Sequence, residues 1–459
     1  MSRQNLRRAL SVVSVLGAVS VLLASCAGAG GSSGGDGSAG DGDSGAVNVL
    51  MVGNPQMEDL AQLTEDNFTA DTGIDVNFTI LPTSELRDRV TQDVATQGGQ
   101  YDVVTVGGYE VPIWAENGWL AELGDAASGD QSYDYGDLLD PMVTSLGGPD
   151  GGVYALPFYG ESSFLMYRTD VFEDEGLTMP ERPTWPEIAD LAAEVDEARS
   201  DMAGICLRGL PGWGELFAPL TTVVNTFGGT WFTEDWDAEV DAPEFREAVE
   251  FYVELVREHG QAGAAQSGFT ECLNTFGQGN AAMWYDATSA SGPLEDPAAS
   301  KVAGDVGYVH APVVQTDASG WLWVWALAVP ETTQQPEAAQ EFAHWATSKE
   351  YEELVGEELG WSRVPAGKRQ STYDIPEYAE AAEAFGQITL QAIEEADPVD
   401  PGVQPRPTVG VQYVTIPEFA DLGTKVSQEI SAAIAGQGSV EDALENGQEL
   451  AETIAENYR

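Results

Sequence analysis

Aromatic side chains set beside Gly, carboxylates and Arg, in stretches without helical or strand periodicity, are the residues of this chain best suited to chemistry. They are Gly108-Tyr109-Glu110, Phe158-Tyr159-Gly160-Glu161-Ser162-Ser163, Arg208 to Glu215 with Trp213, Trp284-Tyr285-Asp286 and Trp321-Leu322-Trp323-Val324-Trp325. A hydroxyl-rich ligand needs this mixture. Ring faces cover its C–H surface, while carboxylate and guanidinium groups replace the water lost from its hydroxyls with charge-assisted hydrogen bonds. On a strand, the period-two spacing of Trp321, Trp323 and Trp325 puts all three on one face, which is either core or a ligand platform. Each cluster also has a structural alternative: Tyr159 as hinge packing, Glu161 as a strand-end charge, Arg208 as a surface ion pair.

Other chemistries have little support. No nucleophile motif or phosphate loop stands out, and His259, His310 and His344 are far apart without a ligand-like partner at i+3 or i+4. We therefore expect no metal, no cofactor and no catalytic residue.

The elements that must position these groups begin with an apolar run, Val47 to Val52, ended by Gly53-Asn54-Pro55 and followed by a helical stretch from Met57 to about Ala70. A strand at Ile74 to Ile80, a helix from Ser84 to Ala95 and an apolar run at Val103 to Val106 continue the alternation. This predicts an α/β lobe with a mostly parallel sheet. In such sheets ligands sit beyond the carboxyl ends of strands, which brings forward Asn54 and Tyr109. Thr184-Trp185-Pro186-Glu187 has the form of a capping box, and Pro336 stands at a first helical turn.

At the N-terminus, Arg3, Arg7 and Arg8 precede the apolar run Ala9 to Leu23, a secretory signal too short to be a comfortable membrane span. It ends in Leu23-Ala24-Ser25-Cys26, which resembles a bacterial lipobox with Cys26 as the lipidated residue. The segment to Gly45 is almost entirely Gly, Ser, Ala and Asp, a flexible tether. The remaining chain exceeds what one core usually organises, so two lobes are expected. Nucleic acid is excluded as a partner, because 19 basic against 76 acidic side chains leave a net charge of −57. Only four of those cations are Lys, which suits either a strongly hydrated surface for a saline habitat or plain solubility. Cys206 and Cys272 lie in an oxidising compartment, but spacing alone leaves open whether they form a bridge or two buried thiols.

Several segments resemble the extracellular solute-binding proteins of the maltose-binding type, most closely the mannitol and sorbitol (polyol) subgroup. They include Tyr109-Glu110-Val111-Pro112-Ile113-Trp114, Ala155 to Phe164, Pro211-Gly212-Trp213-Gly214-Glu215, Met283 to Thr288, Trp321 to Pro330 and Val409-Gly410-Val411-Gln412-Tyr413. The resemblance implies a two-lobed α/β periplasmic-binding-protein-like fold (type II), with a hinge crossed several times and a ligand cleft between the lobes. It implies a signal peptide at 1–25, lipidated Cys26 and tether at 26–46, and lobe one at 47–155 with a return segment at 311–366. Lobe two takes 156–310 and 367–459. By the same resemblance, the cleft holds Asn54, Tyr109, Tyr159, Glu161, Arg208, Trp213, Asp286, Trp323, Trp325 and Arg363. Glu161 and Asp286 would accept hydroxyl hydrogen bonds, and Arg208 and Arg363 would donate.

Two positions depart from the subgroup: Gln56 stands where a carboxylate is usual, and Gly108 where a bulkier residue is common. The function implied is that of a monomeric lipoprotein, anchored outside the cytoplasm by its lipid, that delivers a polyol or small sugar to the permease subunits of an ABC importer. The alternatives are a secreted glycoside hydrolase using Glu161 and Asp286 as its carboxylate pair, and a surface lipoprotein without transport function.

Overall fold

The computed structural model describes residues 45–124, 133–148 and 150–459, so the expected signal, Cys26 and nearly all of the tether lie outside it. Two sheets organise the chain. The first contains β1 (Val47–Val52), β2 (Val76–Leu81), β3 (Val103–Gly107), β4 (Leu156–Glu161) and β9 (Trp323–Ala328), in the order β2-β1-β3-β9-β4. The second contains β5 (Ser163–Arg168), β6 (Ala203–Cys206), β7 (Ala281–Ala287) and β8 (Val306–His310), in the order β6-β7-β5-β8. All of β1 except Asn48 is buried, as a central strand covered on both faces requires.

The strand–helix alternation appears as predicted, with helices at Pro55–Thr64 and Thr83–Thr96 between the first three strands. The capping box is present: Glu187 N donates to Thr184 Oγ1, and Thr184 N donates to Glu187 Oε2 at 2.8 Å. Pro336 opens the helix Pro336–Ala346.

The expectation of mostly parallel pairing needs correction. β1 runs parallel to β2 and β3, but β9 is antiparallel to both β3 and β4. In the second sheet only β6 and β7 are parallel. β9 arrives from the other lobe, so no right-handed strand–helix–strand crossover sets its direction.

Crossings between lobes also differ from the expected boundaries. β4 belongs to the first sheet, so the chain changes lobe at Ser162 rather than at residue 156. Ser162 is fully buried there, its N–H donating to Thr288 Oγ1 and its carbonyl accepting from Thr288 N. The return segment likewise runs past residue 366. Lys368 Nζ, wholly buried, donates to Phe158 O at 2.8 Å and pairs with Glu352, and Ser371 N donates to Asp137 Oδ1. The helices Phe419–Ile434 and Val440–Ala455 then pack on the second lobe against Pro243–His259. Among the described residues, no helix is long and apolar enough to cross a membrane.

Cys206, at the end of β6, is bridged to Cys272 in the helix Phe269–Gly277, with Cα atoms 5.9 Å apart. Sixty-six residues separate them. Closing a loop of that length in the unfolded chain is worth about 4 kcal/mol in the chain-entropy model. Replacing both cysteines with Ala should lower urea-unfolding stability by about that amount. A loss below about 1 kcal/mol would mean that the bridge adds nothing beyond the packing already present.

Candidate functional site

Strand ends from both sheets converge on a cavity of about 420 Å³ lined from both lobes. Asn54 follows β1, where its Oδ1 accepts from Met57 N and caps the next helix. Its Nδ2 donates to Tyr159 Oη at 3.1 Å. Capping thus fixes the Asn54 side chain before any ligand arrives. Tyr159 and Glu161 alternate along β4, and Arg208 lies two residues past the end of β6.

Arg208 is the polar centre of the site. Its Nε and Nη2 form a bidentate pair with Asp286 at 2.8 and 2.5 Å, and its Nη1 lies 3.4 Å from Glu215 Oε2. Burial opposes its charge, but the Asp286 carboxylate outweighs burial and holds the guanidinium firmly protonated. Glu161, only 8% exposed, is raised from its ordinary 4.5 to about 7 by burial, with Asp286 adding to the rise; a bond from Ser289 Oγ and the nearby Arg208 pull the other way. At neutral pH the Glu161 carboxyl is therefore both a potential donor and a potential acceptor for a ligand hydroxyl.

The apolar wall is built from Trp213, Trp321, Trp323 and Trp325. Trp323 stands edge-on to Trp213 and Trp325, at centroid distances of 5.9 and 5.4 Å. Trp321 precedes β9 rather than belonging to it; its N–H donates to Ser163 Oγ, and its side chain still reaches the cavity. Its buried indole N–H lies beside the Glu161 carboxyl and helps to hold it. Gly107 makes room for the Trp323 ring, which would lie 2.0 Å from a Cβ at that position.

Seven of the ten expected residues line the cavity: Asn54, Tyr159, Glu161, Arg208, Trp213, Trp323 and Trp325. The other three do not. Asp286 is wholly buried behind Arg208, and its two oxygens also accept from Trp284 Nε1 and Ala287 N. With its acceptors committed, it supports Arg208 instead of meeting a hydroxyl, and it is unavailable as the second carboxylate of a glycosidase. Tyr109 donates its hydroxyl to Ile416 O at 2.9 Å and packs its ring on Trp213, so it props the wall from behind. Arg363 pairs with Asp59 and lies 3.6 Å from Asp296, lining a neighbouring cavity of about 280 Å³.

The structure adds Arg87, Glu215, Phe269, Ser289 and Gln412 to the lining. Arg87 lies 3.9 Å over the Trp213 ring, its Nε donating to Glu110 Oε1 at 2.9 Å. Glu110 in turn accepts from Gly107 N, which ties this cation to the end of β3. Glu215 belongs to the Arg208 to Glu215 segment that its aromatics bring forward, whereas nothing in spacing separates Arg87 from the exposed Arg89.

The two departures have physical roles. Gln56 Nε2 donates to Ser289 O at 3.2 Å across the cleft, a bond that a carboxylate could not donate. A Cβ on Gly108 would lie 3.0 to 3.2 Å from Tyr413 Oη and Ser145, so those neighbours fill the space a bulkier residue would take.

The sequence model of the bacterial extracellular solute-binding protein family matches residues 54–353. The chain is 40% identical over 404 residues to the mannitol-binding protein of Pseudomonas aeruginosa, which covers 88% of this chain and 91% of that one. It is 26% identical over 382 residues to the erythritol/L-threitol-binding protein of Mycolicibacterium smegmatis, covering 76% and 78%. Among solved structures, an ABC transporter solute-binding protein of Agrobacterium vitis S4 with bound D-mannitol matches with a TM-score of 0.87 and 46% identity. That match covers 90% of this chain and 99% of the other.

Glu161 also makes the empty site pH-sensitive. A carboxyl whose folded pKa is raised favours the folded state below its unfolded value of 4.5, and that advantage is lost as pH rises through about 7. Between pH 5 and pH 8 the wild-type chain should therefore lose on the order of 2–3 kcal/mol relative to Glu161→Gln. Urea unfolding of both proteins at the two pH values measures this. A difference that stays constant with pH would show that Glu161 ionises without penalty.

Proposed function

The chain belongs to the bacterial extracellular solute-binding protein family, and from that premise we propose that it is the substrate-binding lipoprotein of an ABC importer for a linear polyol of the mannitol or sorbitol kind. The observation that carries this is the cavity itself, where Trp rings line one space with Arg208, Glu161 and Asn54, enclosed by both lobes. A polyol has a C–H surface for the rings and hydroxyls for the polar groups, with no charge to satisfy. The mannitol- and erythritol-binding relatives support the same ligand class.

Capture proceeds by closure. Gln56 and Glu161 from the first lobe meet Ser289 of the second, through its carbonyl and its hydroxyl respectively. A ligand bridging Arg208 and the Trp wall adds to these contacts, and the closed form is what the permease recognises. Asn54, Tyr159, Glu161, Arg208, Trp213, Trp323 and Trp325 contact ligand, while Asp286 and Tyr109 position them. Arg363, with Asp59 and Asp296, serves closure at the edge of the cleft. Export by the segment before Cys26 and lipidation of that Cys would hold the monomer on the outer face of the cell membrane, its tether leaving the lobes free to turn.

Thermal denaturation with D-mannitol, D-sorbitol and D-arabitol tests the proposal. A ligand present at one hundred times its Kd should stabilise the fold by about 2.7 kcal/mol and raise the melting temperature. Trp323→Ala should weaken binding of that ligand about tenfold or more. The absence of a shift with all three polyols would contradict the assignment.

A further inference from the structure

The cavity has an uneven charge balance that a neutral ligand does not require. Its lining contains two cations among the described residues, Arg87 and Arg208, and each already has a carboxylate partner behind the wall, Glu110 and Asp286 respectively. Neither is left to neutralise an incoming anion. Three further carboxylates, Glu161, Glu215 and Glu271, belong to the same lining.

Their positions differ. Glu271 is exposed and its carboxylate caps Gly268 N at 2.9 Å. Glu215 is largely buried, shares Arg208 at 3.4 Å, and is steadied by a bond from the Phe269 amide. Glu161 is held by Ser289 Oγ at 2.5 Å. Glu161 is thus fixed by an uncharged donor, and Glu215 by the Phe269 amide and a long bond from Arg208 Nη1, the remaining nitrogens of that guanidinium being taken by Asp286. An anion entering here would be desolvated against like charge with no unpaired cation to receive it, while an ammonium would meet carboxylates with capacity to spare.

We propose that the site is charge-selective: it admits linear polyols that are neutral or carry an amine and excludes those ending in a carboxylate or phosphate, with Glu215 as the specificity-determining residue. The proposal rests on the polyol assignment above and narrows it. Selection of this kind works by a repulsive element against the wrong ligand rather than by extra contacts to the right one.

Calorimetric titration of the folded full chain with one carbon skeleton in three charge states tests it: D-sorbitol, 1-amino-1-deoxy-D-sorbitol and D-gluconate, with D-mannitol alongside. Gluconate should bind about 100-fold or more weakly than sorbitol, and the amine within about tenfold of it. Glu215→Gln should narrow the gap between gluconate and sorbitol by about fivefold or more. Gluconate binding within tenfold of sorbitol, or an unchanged gap in Glu215→Gln, would overturn the charge rule while leaving the polyol assignment standing. Failure of both sorbitol and mannitol to bind would overturn the polyol assignment and this proposal together.

Discussion

A buried guanidinium–carboxylate pair, Arg208 with Asp286, is the interaction on which the rest of the binding site depends. Asp286 lies on β7 opposite Phe164 of β5, and Arg208 follows β6, whose Cys206 is paired with Trp284. The pair thus links the ends of two neighbouring strands, and Trp284 Nε1 and Ala287 N complete the carboxylate's hydrogen bonds. Two charges taken out of water are tolerable only when geometry and additional bonds compensate for lost hydration, and both conditions are met here. Tyr252 Oη also donates to Arg208 O at 2.7 Å, which holds the backbone of the same residue. What reaches the cavity is a guanidinium already oriented, so a ligand hydroxyl meets it without reorganising it.

Around that fixed point the site divides into a rigid wall and a closing edge. The wall is aromatic, packed from behind by Tyr109 and Tyr413, with Arg87 over the Trp213 ring at the cavity. The edge consists of contacts between lobes that use few, specific groups: Gln56 on Ser289, Ser289 on Glu161, and Arg363 between Asp59 and Asp296. Burial raises the Asp59 carboxyl, while the two-pronged bond from Arg363 opposes the rise.

Much of this was legible in the sequence, and the omissions have physical reasons. Strand–turn–helix patterning located β1, β3 and their helices, and the clustering of aromatics with Gly and carboxylates located Tyr159, Glu161, Arg208 and the Trp wall. Arg87 is not legible in the sequence because its place comes from standing over Trp213, more than a hundred positions away, and not from its neighbours on the helix. Asp286 pairs with Arg208, where the resemblance implies a ligand hydroxyl, because a sequence does not show whether a carboxylate faces ligand or a cation. The boundary at residue 156 came from resemblance, and the place of β4 in the first sheet depends on its pairing with β9, a segment over 150 residues later. Spacing left the Cys206–Cys272 bridge undecided for the same reason, as the 5.9 Å approach of their Cα atoms exists only once β6 and the helix Phe269–Gly277 are packed.

A crystal structure of the chain grown with D-mannitol tests the central claim most directly. The account predicts the polyol between the two lobes, its hydroxyls within hydrogen-bond distance of Arg208 and Glu161 and its carbon chain against Trp323. It also predicts that the bidentate Arg208–Asp286 pair is retained. Mannitol bound outside this cavity, or Asp286 released from Arg208 to contact the ligand itself, would contradict it.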